Sequence, residues 1–149
     1  MAKKKNLQKD EKFILSTFIK LVRAAESVSV NAHKHLSKVK LSFGQFAVLE
    51  ALYHLGSMCQ KDIAAKILKS PRNITMIIDN LEKQKLVERK LNQNDRRYWD
   101  IHLTEKGHKL FEEVFPRHIQ SIRDELNIMH SDELKTLGNL CRILGTKKR

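Results

Sequence analysis

The stretch "NQNDRRYWDIHLTEKG", Asn92 to Gly107, sets Asp95, Arg96 and Arg97 side by side. It then alternates Tyr98, Trp99, Asp100, Ile101, His102 and Leu103 before reaching Thr104 and Glu105. Alternation of this kind is the pattern of a strand. The run before it, Leu86 to Leu91, also alternates, with Leu86, Glu88 and Lys90 against Val87, Arg89 and Leu91. Two strands this close predict a hairpin. Its tip has no glycine, so a two-residue turn is not expected and a longer loop, Asn92 to Arg97, is. An acid and two arginines thus stand at the tip of a hairpin, just before a helix start at Thr104.

Helices are expected on both sides. From Leu7 to Leu36 the apolar residues Leu7, Ile14, Phe18, Leu21, Val22, Ala25, Val28, Ala32 and Leu36 recur mostly at steps of three, four or seven, one face of a long helix. Val39 to Leu41 connect it to a second helix, opened by a Ser42/Gln45 capping box and stopped at Gly56. A short helix fits Gln60 to Leu68. Ser70-Pro71 then reads as a serine N-cap with proline at the first helical position, and Ile74, Ile77, Ile78 and Leu81 form the buried stripe of a helix ending near Lys85. After the hairpin, Thr104 caps a helix running to about Met129 with Pro116 inside it, and Ser131 caps a last helix whose apolar face is Leu134, Leu137, Leu140, Cys141 and Leu144.

This order predicts a mostly α fold whose centre is a helix-turn-helix with a hairpin attached, a winged helix. The second helix of such a motif enters the DNA major groove. A hairpin beside it can reach the adjacent minor groove, whose negative potential favours arginine. The tip arginines therefore read as a probe of phosphate and minor groove, with Asp95 pinning one of them.

The composition agrees. The chain of 149 residues carries 29 Lys and Arg against 17 Asp and Glu, a net charge of +12. Half of that excess comes from Lys3, Lys4, Lys5, Lys147, Lys148 and Arg149, and the rest of the chain is still basic, which suggests a polyanionic partner. No apolar run approaches the roughly 20 residues of a membrane span, and no apolar segment follows the basic N-terminus as in a secretory signal, so a cytoplasmic protein is expected. Cys59 and Cys141 make neither a disulfide framework nor a zinc site by spacing. His108 and Glu112 lie one helical turn apart, but no third ligand accompanies them, so neither a metal nor another cofactor is expected. The absence of HExxH, a nucleophile elbow, a P-loop and a dinucleotide fingerprint argues against an enzyme.

The stretch "DRRYWDIHLTEKG" resembles the D-x-R wing followed by L-T-x-x-G of the multiple antibiotic resistance regulator (MarR) family. "SPRNITMIIDNLEKQKLVER", Ser70 to Arg89, resembles that family's recognition helix running into the first wing strand. The resemblance covers nearly the whole chain. One departure is Lys85, where many members carry glycine. The resemblance implies a homodimer in which the first, fifth and sixth helices interdigitate. It also implies a palindromic double-stranded DNA operator and, usually, a repressor released by a small molecule or by oxidation. The chain then reads as one domain, residues 1–149. It has a DNA-binding lobe at 42–104, and a helical dimerisation region at 7–38 and 105–146.

Opposite the buried stripe, the recognition helix carries Arg72, Met76, Asp79 and Lys83, with Asn73 and Thr75 on the flanks. Arg72 and Asn73 occupy the N-terminal end that sits deepest in the groove. Arg pairs with guanine and Asn with adenine, while Thr75 suits a phosphate or a thymine methyl. Ser70 is both N-cap and phosphate neighbour. On the wing the candidates are Asp95, Arg96 and above all Arg97, which matches the arginine of the family motif. Lys61 and Lys69 are expected phosphate contacts, and Asp79 either contacts DNA or, on a solvated face, forms an i,i+4 pair with Lys83. The alternatives are a redox-responsive regulator using Cys141 or Cys59, against which buried structural thiols are expected, and a non-specific architectural nucleic-acid-binding protein.

Overall fold

The computed structural model describes residues 8–67 and 71–148. In chain order it contains α1 (Lys9–His33), a 3-10 segment (Lys34–Val39), α2 (Phe43–Leu55), β1 (Met58–Cys59), α3 (Gln60–Lys66), α4 (Pro71–Lys83), β2 (Val87–Leu91), β3 (Trp99–Leu103), α5 (Glu105–Leu126) and α6 (Ser131–Thr146). It divides into two compact units. One is the chain up to Ala32 together with the chain from Ser121 onward; the other is His33–Gln120. The second unit holds α2, α3, α4 and the β2–β3 hairpin, which is the winged helix-turn-helix predicted above. Among the described residues no helix is long and apolar enough to cross a membrane.

Local chemistry explains most of the element ends. Ser42 Oγ accepts from the Gln45 backbone N–H at 3.2 Å, and Gln45 Oε1 accepts from the Ser42 N–H at 2.8 Å, so the expected capping box opens α2. Gly56, at φ 82°, closes it. The first helix stops at His33, short of the expected Leu36, and tightens into the 3-10 segment. Lys40 then turns into the left-handed region (φ 56°), and Leu41 N–H bonds back to Leu36 carbonyl at 3.1 Å. That turn buries both Leu36 and Leu41 in the core, which a straight helix through these residues would not do. At the other end of the chain the N-cap is His130, not Ser131, because Glu133 reaches back three residues to accept from the His130 N–H at 2.8 Å.

Lys85 resolves the departure noted in the sequence. It sits at φ 59°, in the left-handed conformation that glycine adopts most easily. Its N–H bonds Glu82 carbonyl at 2.8 Å, and Leu86 N–H bonds Leu81 carbonyl at 3.0 Å. This 5→2 and 6→1 pair is a Schellman closure, here built with lysine. It turns the chain from α4 directly into the wing while Leu81 and Leu86 stay buried.

The sheet has the order β1–β3–β2, all antiparallel, with Met58 opposite Ile101, Val87 opposite Leu103 and Leu91 opposite Trp99. The core beneath it is built from Phe46 and Leu49 of α2, Ile63 of α3, Ile74, Ile78 and Leu81 of α4, Ile101 of β3 and Phe111 of α5. Spacing of four and three places the α4 residues on one stripe. The opposite face of that helix is left outside.

His118 of α5 is the buried polar residue of the same unit among those described. Its ring lies 4.5 Å from Phe46, 5.2 Å from His33 and 5.3 Å from His35, and its Nδ1 has no hydrogen-bond partner. Burial first, then the neighbouring charges of His33 and His35, push its pKa down to about 4. Between about pH 6.5 and 4 the unfolded chain therefore takes up a proton that the folded one refuses, and stability falls as the pH drops through that window. The urea unfolding free energy is expected to be about 2 kcal/mol lower at pH 5 than at pH 7.5 from this group. In His118→Phe that difference should largely vanish. An equal pH dependence in the variant would show that His118 is not its source.

Candidate nucleic-acid interface

The outer face of the lobe is made by α3, α4 and the wing. Ile74, Ile78 and Leu81 fix α4 from beneath, so Asn73, Thr75, Met76 and Lys83 are exposed, Met76 by 61%. Arg72 lies in the first turn of this helix. Ser70 and Lys69 lie outside the described residues. Lys61 is exposed on the first turn of α3. Gln60, also in that turn and not foreseen from the sequence, donates from Nε2 to Thr75 Oγ1 and so ties α3 to the candidate reading face of α4.

The wing tip is ordered by its own side chains. Asn92 Oδ1 accepts from the N–H groups of Asn94 (2.9 Å) and Asp95 (2.8 Å), while its Nδ2 donates to Asp100 at 2.7 Å. An Asx turn of this kind explains how a loop without glycine reverses direction. Asp95 then clips Arg97. Its carboxylate accepts from Arg97 backbone N–H (3.0 Å), from Nε (3.0 Å) and from Nη2 (2.7 Å). The Arg97 side chain nonetheless remains 82% exposed, with its guanidinium carbon 5.9 Å from the centre of the Tyr98 ring. The Arg97 side-chain bonds, and then its backbone N–H, hold the Asp95 carboxyl below the usual carboxylate range. Arg96 is exposed beside them. Tyr98 and Trp99 are half exposed, and a groove of about 530 Å³ runs past them, lined also by Gln60, Lys61, Arg89 and Arg97.

Two readings of single residues need correction. Asp79 does not pair with Lys83 but with Arg89 of β2, which also pairs with Glu82. A planar guanidinium can bridge two carboxylates one turn apart, which a lysine ammonium does less well. Strand alternation sets Arg89 on the same face as buried Val87, but its partners on α4 are supplied by the tertiary fold. Neither thiol is fully buried. Cys59 is half-buried, with its Sγ 3.3 Å from Asp62 Oδ2, and Cys141 is exposed on α6, a helix without a buried residue among those described. Glu112, considered with His108 as a ligand pair, accepts from the Tyr53 hydroxyl at 3.1 Å. Among the described residues no group of three or more His, Cys, Asp or Glu could hold a metal ion.

Comparison with known proteins gives consistent matches. The model of the MarR family matches residues 41–98, from the start of α2 into the wing. The HTH-type transcriptional regulator MhqR of Bacillus subtilis is 35% identical over 131 residues, covering 88% of this chain and 90% of that protein. Among solved structures, AbsC of Streptomyces coelicolor, a MarR family transcriptional regulator, superposes with a TM-score of 0.83 at 21% identity, over 96% of this chain and 97% of that one. BpsR of Bordetella bronchiseptica, whose DNA binding is regulated by 6-hydroxynicotinic acid, superposes with a TM-score of 0.78 at 25% identity, over 84% and 89%.

Proposed function

The chain belongs to the MarR family of winged helix-turn-helix, DNA-binding transcriptional regulators, and from that premise we propose that it is a homodimeric repressor. It binds a palindromic operator, is released by a small-molecule inducer and works in the cytoplasm. It is a regulator and not a catalyst. One observation carries the DNA-reading half of the proposal. An exposed face of α4, fixed by the buried residues behind it, and an Arg97 clipped by Asp95 stand on the same lobe. The apolar faces left outside on α1 and α6 support the dimer. The likeness to BpsR supports an inducer.

In this reading Arg72, Asn73, Thr75 and Met76 face base edges, with Ser70 at the phosphate beside the helix start. Lys61 and Lys69 add phosphate contacts, and Arg96 and Arg97 follow the minor groove. DNA recovered from random genomic fragments by the purified protein supplies the operator. On it, Asn73→Ala is expected to cost about 1–3 kcal/mol and to flatten preference at one or two base pairs. Arg97→Ala is expected to weaken operator and random duplex alike and to make the salt dependence shallower, because fewer counterions are released. Titrations at several salt concentrations separate the two effects. Equal affinity of the wild type for every duplex at one stated salt would favour the architectural alternative instead.

A further inference from the structure

We infer that Arg89 is a positioning residue that sets the direction of the wing relative to α4, so that the two DNA-reading elements act as one piece; this rests on the DNA-binding reading above. Arg89 shares a β2 face with Val87 and Leu91. Burial along that face falls from Val87, in the core, through Arg89, whose side chain is 25% exposed, to Leu91 at 49%. Arg89 therefore stands where the hairpin leaves the core. Its guanidinium divides between two carboxylates of α4. Nη2 donates to Asp79 at 2.5 Å, and Nη1 donates to Glu82, which also accepts from the Arg89 backbone N–H at 3.3 Å. Across the sheet at this level Ile101 pairs with both Arg89 and Met58, so β3 is held by β1. Past Asp100 the ribbon continues through the Leu91–Trp99 pair and the bond from Asn92 N–H to Tyr98 carbonyl at 2.9 Å.

A two-stranded ribbon has little rigidity of its own. The Asp95–Arg97 clip orders the tip but does not say where the tip points. The Arg89 fork supplies that direction, because it fixes the root of the wing against the helix that carries Asn73 and Thr75. It also covers the charge of Asp79, an acid on a helix proposed to lie among phosphates. Partly exposed ion pairs contribute little to stability, so the arrangement acts on geometry more than on folding.

The test uses the full chain on the recovered operator and on random duplex, at several salt concentrations, with thermal unfolding alongside. Removing two acids from a DNA-facing surface should tighten binding if charge alone mattered. The double variant Asp79→Asn, Glu82→Gln is instead expected to bind the operator about tenfold more weakly, with Tm nearly unchanged. Coupling gives the second readout. Arg97→Ala is expected to cost about tenfold in the wild type but less than about twofold in an Arg89→Met background, where the wing is already misplaced. Tighter binding by the neutralised variant, or an equal cost of Arg97→Ala in both backgrounds, overturns the inference alone. A wild type that binds no duplex overturns the DNA-binding reading and takes the inference with it.

Discussion

Gly107→Ala is expected to destabilise the protein by about 3 kcal/mol or more, against the direction that helix propensity dictates. Propensity alone favours alanine over glycine inside a helix by about 1 kcal/mol, and Gly107 lies in the first turn of α5. The surroundings reverse the sign. A Cβ at this position would stand 2.1 Å from the Leu86 carbonyl oxygen and 3.2 Å from Leu103 Cδ2. The nearer atom is backbone and cannot rotate away. It is also in use, because Leu86 carbonyl accepts from Thr104 N–H at 3.1 Å, while Thr104 Oγ1 donates to Lys85 carbonyl at 2.7 Å and accepts from Gly107 N–H at 3.0 Å. These bonds sew the start of α5 to the chain entering the wing. A methyl group there must open that seam, and overpacking against fixed atoms costs about 1–3 kcal/mol or more. Urea unfolding of the variant checks this. A neutral or stabilised Gly107→Ala would mean that α5 does not approach Leu86 so closely. The L-T-x-x-G pattern of Leu103 to Gly107 thus has a steric reason in this chain.

Much of this was legible in the residues, and the exceptions share a physical cause. The α2 cap, the Gly56 stop, the α4 stripe and the hairpin were readable because each rests on a local signal: a serine with a glutamine three residues on, a positive-φ glycine, a helical period and an alternation. The hairpin tip is one residue longer than expected, because β3 begins at Trp99 and not at Tyr98. The turns at Lys40 and Lys85 were not, since a lysine in the left-handed region leaves no mark in sequence and is held there by burial of Leu36, Leu41, Leu81 and Leu86 around it. His130 displaced Ser131 as N-cap because Glu133 could reach it. At the interface, Asp95 was read as pinning an arginine, and the structure identifies Arg97. Gln60 and Arg89 were missed because their partners, Thr75, Asp79 and Glu82, are brought to them by the tertiary fold.

Placing lysine at both Phe13 and Phe18 is expected to convert the protein to monomer at low micromolar concentration and to weaken operator binding by at least about 100-fold. None of residues 9–27 of α1 is buried, yet Phe13 is 73%, Ile14 66% and Phe18 59% exposed, and on α6 Leu140 and Leu144 are exposed by 57% and 49%. Apolar helical faces of this extent are not left in water without something to cover them. A second copy of the same chain is the proposed cover. Covering a phenylalanine contributes about 1.5–3 kcal/mol, and in a two-fold interface each substitution acts twice. Four lost side chains therefore remove about 6 kcal/mol or more, enough to shift a dimer dissociation constant beyond 10,000-fold on the scale of about 1.4 kcal/mol per tenfold. A palindromic site read by one lobe at a time then loses the second set of contacts, while the lobe's own fold and its weak binding to random duplex should persist. Sedimentation of the double variant, circular dichroism and operator titration at one salt concentration check the three parts together. A variant that stays dimeric would show that α1 is covered by something other than its twin. A monomer that keeps full operator affinity would show that one lobe suffices, and the palindrome would have no structural counterpart in this protein.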